Sequence, residues 1–360
     1  NIMAEVGSSE RLINFCRSLV GHKRSGMALV CVIVSCCFAA ISGSGPATVA
    51  ALGMIIIPAM VQAGYDKASG TALMSTAGAI GIIIPPSITF VIYGSITGTS
   101  VGALFASGIV PGILMGVLLA VAMLWVSRKR ELQLLPKATW KDRWNSFKDA
   151  FWGLMMPVII LGGIYGGIFT PTEAAAVSAI YGLFVGLFIY KTITFKDVPR
   201  ILADSVSQTA VVMFIVGTAS LFAWILTVTG LAAQASNVLI SVSSGNKYIF
   251  LLIVNIILLI AGCFIDANSA CYILVPILVP VATALGINPI HLGCIMIVNM
   301  AIGMVTPPVG VNLYVGCGIA KISLKEISIA VLPFIVASIV ALLLTTYVPI
   351  ISMFLPNLLG

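Results

Sequence analysis

Four short stretches hold the residues of this chain that are placed to do chemistry. They are Ser42-Gly43-Ser44-Gly45-Pro46, Pro85-Pro86-Ser87, Asp266-Ala267-Asn268-Ser269 and Thr306-Pro307-Pro308-Val309-Gly310. Each sets hydroxyls, amides or a carboxylate beside Gly or Pro within an otherwise apolar segment. Proline removes a backbone donor and clashes with the preceding turn, so a helix breaks there. The freed carbonyls, with nearby hydroxyls, are hard oxygen ligands for a small cation such as Na+. Helix N-termini offer N–H groups and partial positive charge to an anion. One set of candidate Na+ ligands is therefore Ser42, Gly43, Ser44, Pro85 and Ser87. The other is Asp266, Asn268, Thr306, Pro307 and Gly310. Candidate substrate contacts are Ser44, Gly45, Ser87, Asn268, Ser269 and Val309.

Asp266 is the one acid placed deep in an apolar segment. Burying it in a bilayer costs about 2.5–3.5 kcal/mol on insertion scales. Two readings of it stand together: an N-cap for a helix over 267–283, and a cation or proton site. Ser44 reads as the corresponding cap in the first half. Glu173, just after Pro171-Thr172, complements a helix dipole. Asn255 and Asn299 read as hydrogen-bonding groups between helices. A hydrolase would use Ser44 as nucleophile and would need a base. His22 and His291 fall near predicted membrane edges, and one Asp makes no dyad, so the chain reads as no enzyme. The eight cysteines show no CxxC spacing and read as packing residues.

Those stretches must be positioned by membrane helices. The chain is 60% hydrophobic and 8% charged, with a mean hydropathy of +1.16. That composition excludes a soluble domain and defines an all-α polytopic membrane protein. The alternating strands of a membrane barrel are absent. The net charge of +7 reads as loop charge that sets orientation, with no nucleic-acid partner. No cleavable signal peptide is visible.

The chain also repeats itself. At one constant offset Pro58 pairs with Pro280, Gly64 with Gly286, Gly81 with Gly303, and Pro85-Pro86 with Pro307-Pro308. Gly94 then pairs with Gly316 and Pro111 with Pro333. Chance gives roughly 0.6 Gly or Pro matches in such a window, so seven ungapped ones mark an internal duplication.

The expected threading runs as follows. Residues 1–25 are the end of a scaffold helix and an amphipathic arm. Repeat 1 covers 26–127: a re-entrant hairpin (26–62) whose arms are short for a crossing, a broken helix (67–94) and a helix (100–127). Residues 128–200 form a cytoplasmic arm and a scaffold helix pair, turning at Thr170-Pro171-Thr172. Trp140, Trp144 and Trp152 mark the arm as lying on the membrane surface. Residues 201–247 are a scaffold helix and an arm. Repeat 2 covers 248–360: hairpin 248–283, broken helix 289–317 and last helix 326–355. His22-Lys23-Arg24 and Arg128-Lys129-Arg130 mark cytoplasmic edges. Of the 18 Lys and Arg, all but Lys247 then fall on one side. Five crossings lie between the repeats, so the repeats are expected to be inverted. Broken helices around midplane ligands favour a transporter over a channel built from re-entrant half-helices, which stays the alternative.

At Ser42-Gly43-Ser44-Gly45-Pro46, Ile82-Ile83-Ile84-Pro85-Pro86-Ser87 and Val305-Thr306-Pro307-Pro308-Val309-Gly310 the chain resembles a known family. Asn1-Ile2-Met3, Gly21-His22 and Asn288-Pro289 fit as well. It resembles the large membrane (DctM-like) subunit of tripartite ATP-independent periplasmic (TRAP) transporters, over essentially all 360 residues. The resemblance implies a multi-pass protein of the bacterial inner membrane, working by an elevator movement of a hairpin-bearing unit against a scaffold. It also implies Na+ coupling at the tips and breaks named above. Its implied partners are a small four-helix membrane subunit, separate or fused, and a periplasmic substrate-binding protein. Its implied substrates are organic acids, sialic acid first and four-carbon dicarboxylates beside it. A conventional Na+-coupled carrier without binding protein is the further alternative. The family's N-terminal scaffold helices are missing from this sequence. The chain is therefore expected to start inside a helix, with roughly 20 residues of it preceding Asn1.

Overall fold

The computed structural model describes residues 2–23, 25–128, 130, 132–133 and 136–359. Asn1, Arg24 and Lys129, used above for the chain's start and two charged edges, lie outside them.

In the first half, α1 (Ile2–Glu5) and α2 (Ser8–Val20) precede a helical hairpin of α3 (Gly26–Ser42) and α4 (Gly45–Gln62). Pro46 sits in the first turn of α4, where a missing N–H costs nothing. Next comes a broken segment: α5 (Lys67–Ala79), a tight turn at Ile80–Ile82, the Pro85-Pro86 break and α6 (Ile88–Thr97). Asp66 starts α5 by accepting the Ser69 N–H at 3.0 Å. α7 (Val101–Val126) follows.

The middle holds α8 (Trp140–Tyr165), α9 (Pro171–Phe184), α10 (Val198–Val228) and α11 (Leu231–Ser243). Reciprocal caps start two of them. Thr139 pairs with Asp142 at α8, and Thr170 with Glu173 at α9. Glu173 is thus a capping residue.

The second half holds α12 (Lys247–Gly262), α13 (Ala267–Ala284), α14 (Pro289–Gly303), the Pro307-Pro308 break and α15 (Val311–Ala320). The bounds of α13 match those of α4 at the same offset that relates Pro280 to Pro58. The start of α14 matches that of α5. The chain ends in α16 (Leu324–Ala330), α17 (Leu332–Tyr347) and α18 (Ile350–Leu359).

Three expectations are corrected. The second hairpin arms, α4 and α13, have 18 residues each and are long and apolar enough to cross a membrane. At 1.5 Å per residue that is about 27 Å. The hairpins are recognised instead by the pairing of α3 with α4 and of α12 with α13 across short breaks. The surface arm at Trp140 is the start of α8 itself, because no Gly or Pro interrupts the helix between its cap and Gly153. The last helix is three pieces. It bends by 50° between α16 and α17, with Pro333 in the first turn of α17, and breaks again at Pro349 before α18. Among the described residues six helices can cross a membrane by length and composition, or seven if α16 and α17 count as one span.

The two halves interlock. α4 packs on α15, and α13 packs on α6, so each hairpin is held by the other half's broken segment. α14 is buried from His291 to Gly303 and α5 from Gly70 to Ala79, which makes the two broken segments the centre of the fold. Gly262 and Gly303 let α12 and α14 touch backbone to backbone; a Cβ on Gly303 would lie 2.5 Å from Gly262 Cα. Asn299 Nδ2 donates to Asn255 Oδ1 at 2.8 Å, and Asn255 Nδ2 to Thr346 Oγ1 at 3.1 Å. Both asparagines therefore tie helices together. By contrast, Ile201 alone is buried among the described residues of α10. A helix this apolar and this uncovered has bilayer or another chain against it.

Candidate functional site

The first hairpin turns at Gly43 and Ser44. Gly43 has φ +62°, and a Cβ there would stand 2.7 Å from the Pro86 carbonyl oxygen. A Cβ on Gly81 would stand 2.8 Å from the Ser44 carbonyl oxygen. Tip and break are thus in direct backbone contact, and Ser42, Gly43, Ser44 and Ser87 lie close together. Ser42, Gly43 and Ser87 line a small cavity of about 190 Å³ with Pro86. Ser87 is buried and caps α6: it donates to the Ile82 carbonyl at 2.6 Å and accepts the Phe90 N–H at 3.4 Å.

Ser44 stands at the N-cap of α4, but its side chain accepts no N–H there, which corrects the expected cap. A capping side chain bonds the N–H of the second or third helical residue. The second residue of α4 is Pro46, which has none. Thr48 closes the tip instead. Its Oγ1 donates to the Ser44 carbonyl at 2.8 Å and lies 2.6 Å from Ser42 Oγ. Gly45 is buried against the Asn312 amide, which a Cβ would approach to 3.1 Å.

The second tip differs at the same slot. Asp266 is half-buried and caps α13, accepting the N–H groups of Asn268 at 2.9 Å and Ser269 at 3.1 Å. The Ser269 hydroxyl also donates to Asp266. The capping reading of Asp266 is observed. Asn268 stands where Pro46 stands in the first half, so here the second N–H exists. Thr306 donates to the Ile302 carbonyl at 2.7 Å, and Gly310 starts α15 with φ +55°. Among the described residues no hydrogen bond joins Asp266 to Thr306. The second hairpin meets its own break through Gly262 and Gly303.

The two tips meet at a cavity of about 580 Å³. Ser42 and Ser44 reach it from the first tip, Asn268 from the second, and Ser205, Gln208 and Thr209 from α10. Thr89 on α6 donates to Asn268 Oδ1 at 3.1 Å, binding the second tip to the first half. Sequence reasoning missed Thr48, Thr89, Asn312 and Gln208. One signal was present: Asp204-Ser205-Val206-Ser207-Gln208-Thr209 is a polar run in an otherwise apolar helix. At the foot of α10, Arg200 pairs with Glu5 at 3.3 Å. Asp197 there is held below the usual carboxylate range by the Thr194 hydroxyl and N–H.

Among the described residues no base stands by Ser44. His291 is buried elsewhere, with its ring nitrogens 2.6 Å from Ser352 Oγ and 3.2 Å from the Thr346 carbonyl. A helical membrane fold with two broken segments and two hairpin tips around a mainly apolar cavity, edged by hydroxyls and amides, is the architecture of a transport protein. Residues 1–351 match the family described as "Tripartite ATP-independent periplasmic transporter, DctM component", and the chain belongs to that family. It is 44% identical to the C4-dicarboxylate TRAP transporter large permease protein DctM of Rhodobacter capsulatus, over 100% of this chain and 85% of that one. It is 39% identical to the sialic acid TRAP transporter large permease protein SiaM of Vibrio cholerae, over 99% and 84%. Its fold is similar to a crystal structure of the YdaH transporter of Alcanivorax borkumensis, with a TM-score of 0.61 over 98% of this chain and 84% of that one, at 14% identity.

Proposed function

We propose that this permease imports a small organic acid across the bacterial inner membrane, driven by Na+. The observation that carries the reading is the cavity in which Ser42 and Ser44 of one tip meet Asn268 of the other. In this reading the two halves are inverted repeats, and the hairpins move as one unit against α8, α9 and α10. Na+ is held by oxygens of the Ser42–Gly43–Ser44 tip with the Pro85 and Ser87 break, and of Asp266 and Asn268 with the Thr306, Pro307 and Gly310 break. The organic acid sits between Ser44 and Asn268; of the other expected contacts, Ser87, Ser269 and Val309 stand outside the lining of this cavity.

The relatives support a four-carbon dicarboxylate ahead of sialic acid, since the dicarboxylate permease is the more similar of the two. The proposed partners are a small membrane subunit, separate or fused, lying on exposed apolar faces such as that of α10, and a periplasmic binding protein that delivers the acid. The direct test is counterflow. Proteoliposomes holding the permease and its small subunit are loaded with unlabelled succinate or sialic acid and given the labelled acid outside with the binding protein. A carrier shows a transient accumulation of label. A channel built from half-helices shows none, and that result would overturn the reading.

A further inference from the structure

The cavity between the tips contains a wall that belongs to neither half. On α10, Ser205, Gln208, Thr209 and Val212 recur at helical spacing and face it together. None of the described residues lining it is charged. A carboxylate there must be held by neutral donors, so the question is which donors are uncommitted.

Most of the hydroxyls are committed. Ser205 donates to the Ile201 carbonyl, Thr209 to the Ser205 carbonyl and Ser178 to the Ala175 carbonyl, at 2.7–2.8 Å. Ser42 Oγ is occupied with Thr48 Oγ1. Asn268 is different. Its Oδ1 is taken by Thr89, and its Nδ2 has no hydrogen-bond partner among the described residues. Gln208 is exposed to the cavity, and neither end of its amide is bonded to a described residue. The Ser44 hydroxyl likewise has no hydrogen-bond partner among the described residues. Ser44, Asn268 and Gln208 are thus three uncommitted donors on three walls of one cavity.

We propose that Gln208 of α10 forms a third arm of the substrate site, its amide N–H groups donating to a carboxylate held from the other sides by Ser44 and Asn268. The proposal rests on the reading of this chain as an organic-acid carrier. In this conformation it makes the substrate a bridge between the hairpins and α10, a contact that breaks when the hairpins move. Acid chain length is then selected by the span from the tips to Gln208.

The test uses the permease with its small subunit and binding protein in proteoliposomes, with an inward Na+ gradient and succinate or sialic acid as probe. Gln208→Ala should raise KM about tenfold, the loss of one hydrogen bond to a charged group. Gln208→Glu sets a carboxylate against the substrate and should lose uptake altogether. Ser207→Ala, one residue away and outside the cavity lining, should match the parent. Thermal stabilisation of the detergent-solubilised protein by the same acid should fall in the same order. Parent uptake that Gln208→Ala and Gln208→Glu leave unchanged overturns the inference and leaves the carrier reading standing. A parent with neither uptake nor stabilisation by either acid overturns both.

Discussion

Thr89 Oγ1 donates to Asn268 Oδ1 at 3.1 Å, and this bond joins a helix of the first half to the hairpin tip of the second. It does more than tie two elements. It fixes which way the Asn268 amide faces, leaving Nδ2 for the cavity at which Ser44 and Gln208 also stand. Thr89→Val keeps the shape and removes the donor. It should raise KM for the transported acid several-fold, about the worth of one net hydrogen bond, with little change in melting temperature. Thr89→Ser should restore the parent value. A Val variant with parent kinetics would show that the bond does not orient Asn268.

The carboxylate in the matching slot separates capping from ion binding. Asp266→Asn keeps an acceptor for the N–H groups of Asn268 and Ser269, whereas Asp266→Ala removes it at a cost of about 1 kcal/mol. Should Asp266 hold Na+, both variants lose Na+-dependent uptake while folded. Should it serve as a cap alone, Asn transports normally and Ala mainly lowers the melting temperature.

The contact of α12 with α14 makes a stability prediction. A methyl on Gly303 meets backbone at 2.5 Å, and one on Gly262 meets it at 2.9 Å. Backbone cannot step aside as a side chain can. Each Gly→Ala change should therefore cost about 1–3 kcal/mol, seen as a lower melting temperature in detergent. Gly318→Ala, which meets nothing within 4 Å on α15, should be neutral or slightly stabilising. Equal behaviour of the three variants would mean that the close approach does not hold the second hairpin.

Much of this could be read in advance, for identifiable reasons. Gly and Pro constrain backbone wherever they fall, so the offset from Pro58 to Pro280 gave the bounds of α4 and α13 before any contact was known. Asp266 as a cap followed from the apolar run after it. Partnerships across the chain were not legible. Nothing local tells that α4 lies on α15, or that Thr89 reaches Asn268, because a Thr within a helix more often bonds its own preceding turn. The Ser44 cap failed for a local reason that was in view: Pro46 withdraws one of the two N–H groups it would have used. Gln208 was hidden because its role depends on a cavity formed by elements on both sides of it.

Orientation has its own test. The threading puts Lys67 and Lys141 on the cytoplasmic face and Gly98 and Ser243 on the other. Single cysteines at 67, 98 and 141, and at the exposed Ser244 because Ser243 itself is buried, should label from opposite sides with an impermeant maleimide on a cysteine-depleted background. Labelling of positions 98 and 141 from the same side would break the inverted arrangement.

The central claim is Na+-driven import of an organic acid handed over by a binding protein, and one measurement addresses it directly. Proteoliposomes carrying this permease and its small subunit are given an inward Na+ gradient and labelled succinate or sialic acid, with and without binding protein outside. No charged side chain lines the cavity among the described residues, so free acid should meet no strong electrostatic trap and should enter slowly. The account predicts little uptake of free acid, rapid uptake once the cognate binding protein is added, and none when the Na+ gradient is removed. Equal uptake with and without binding protein, or uptake indifferent to Na+, would contradict it.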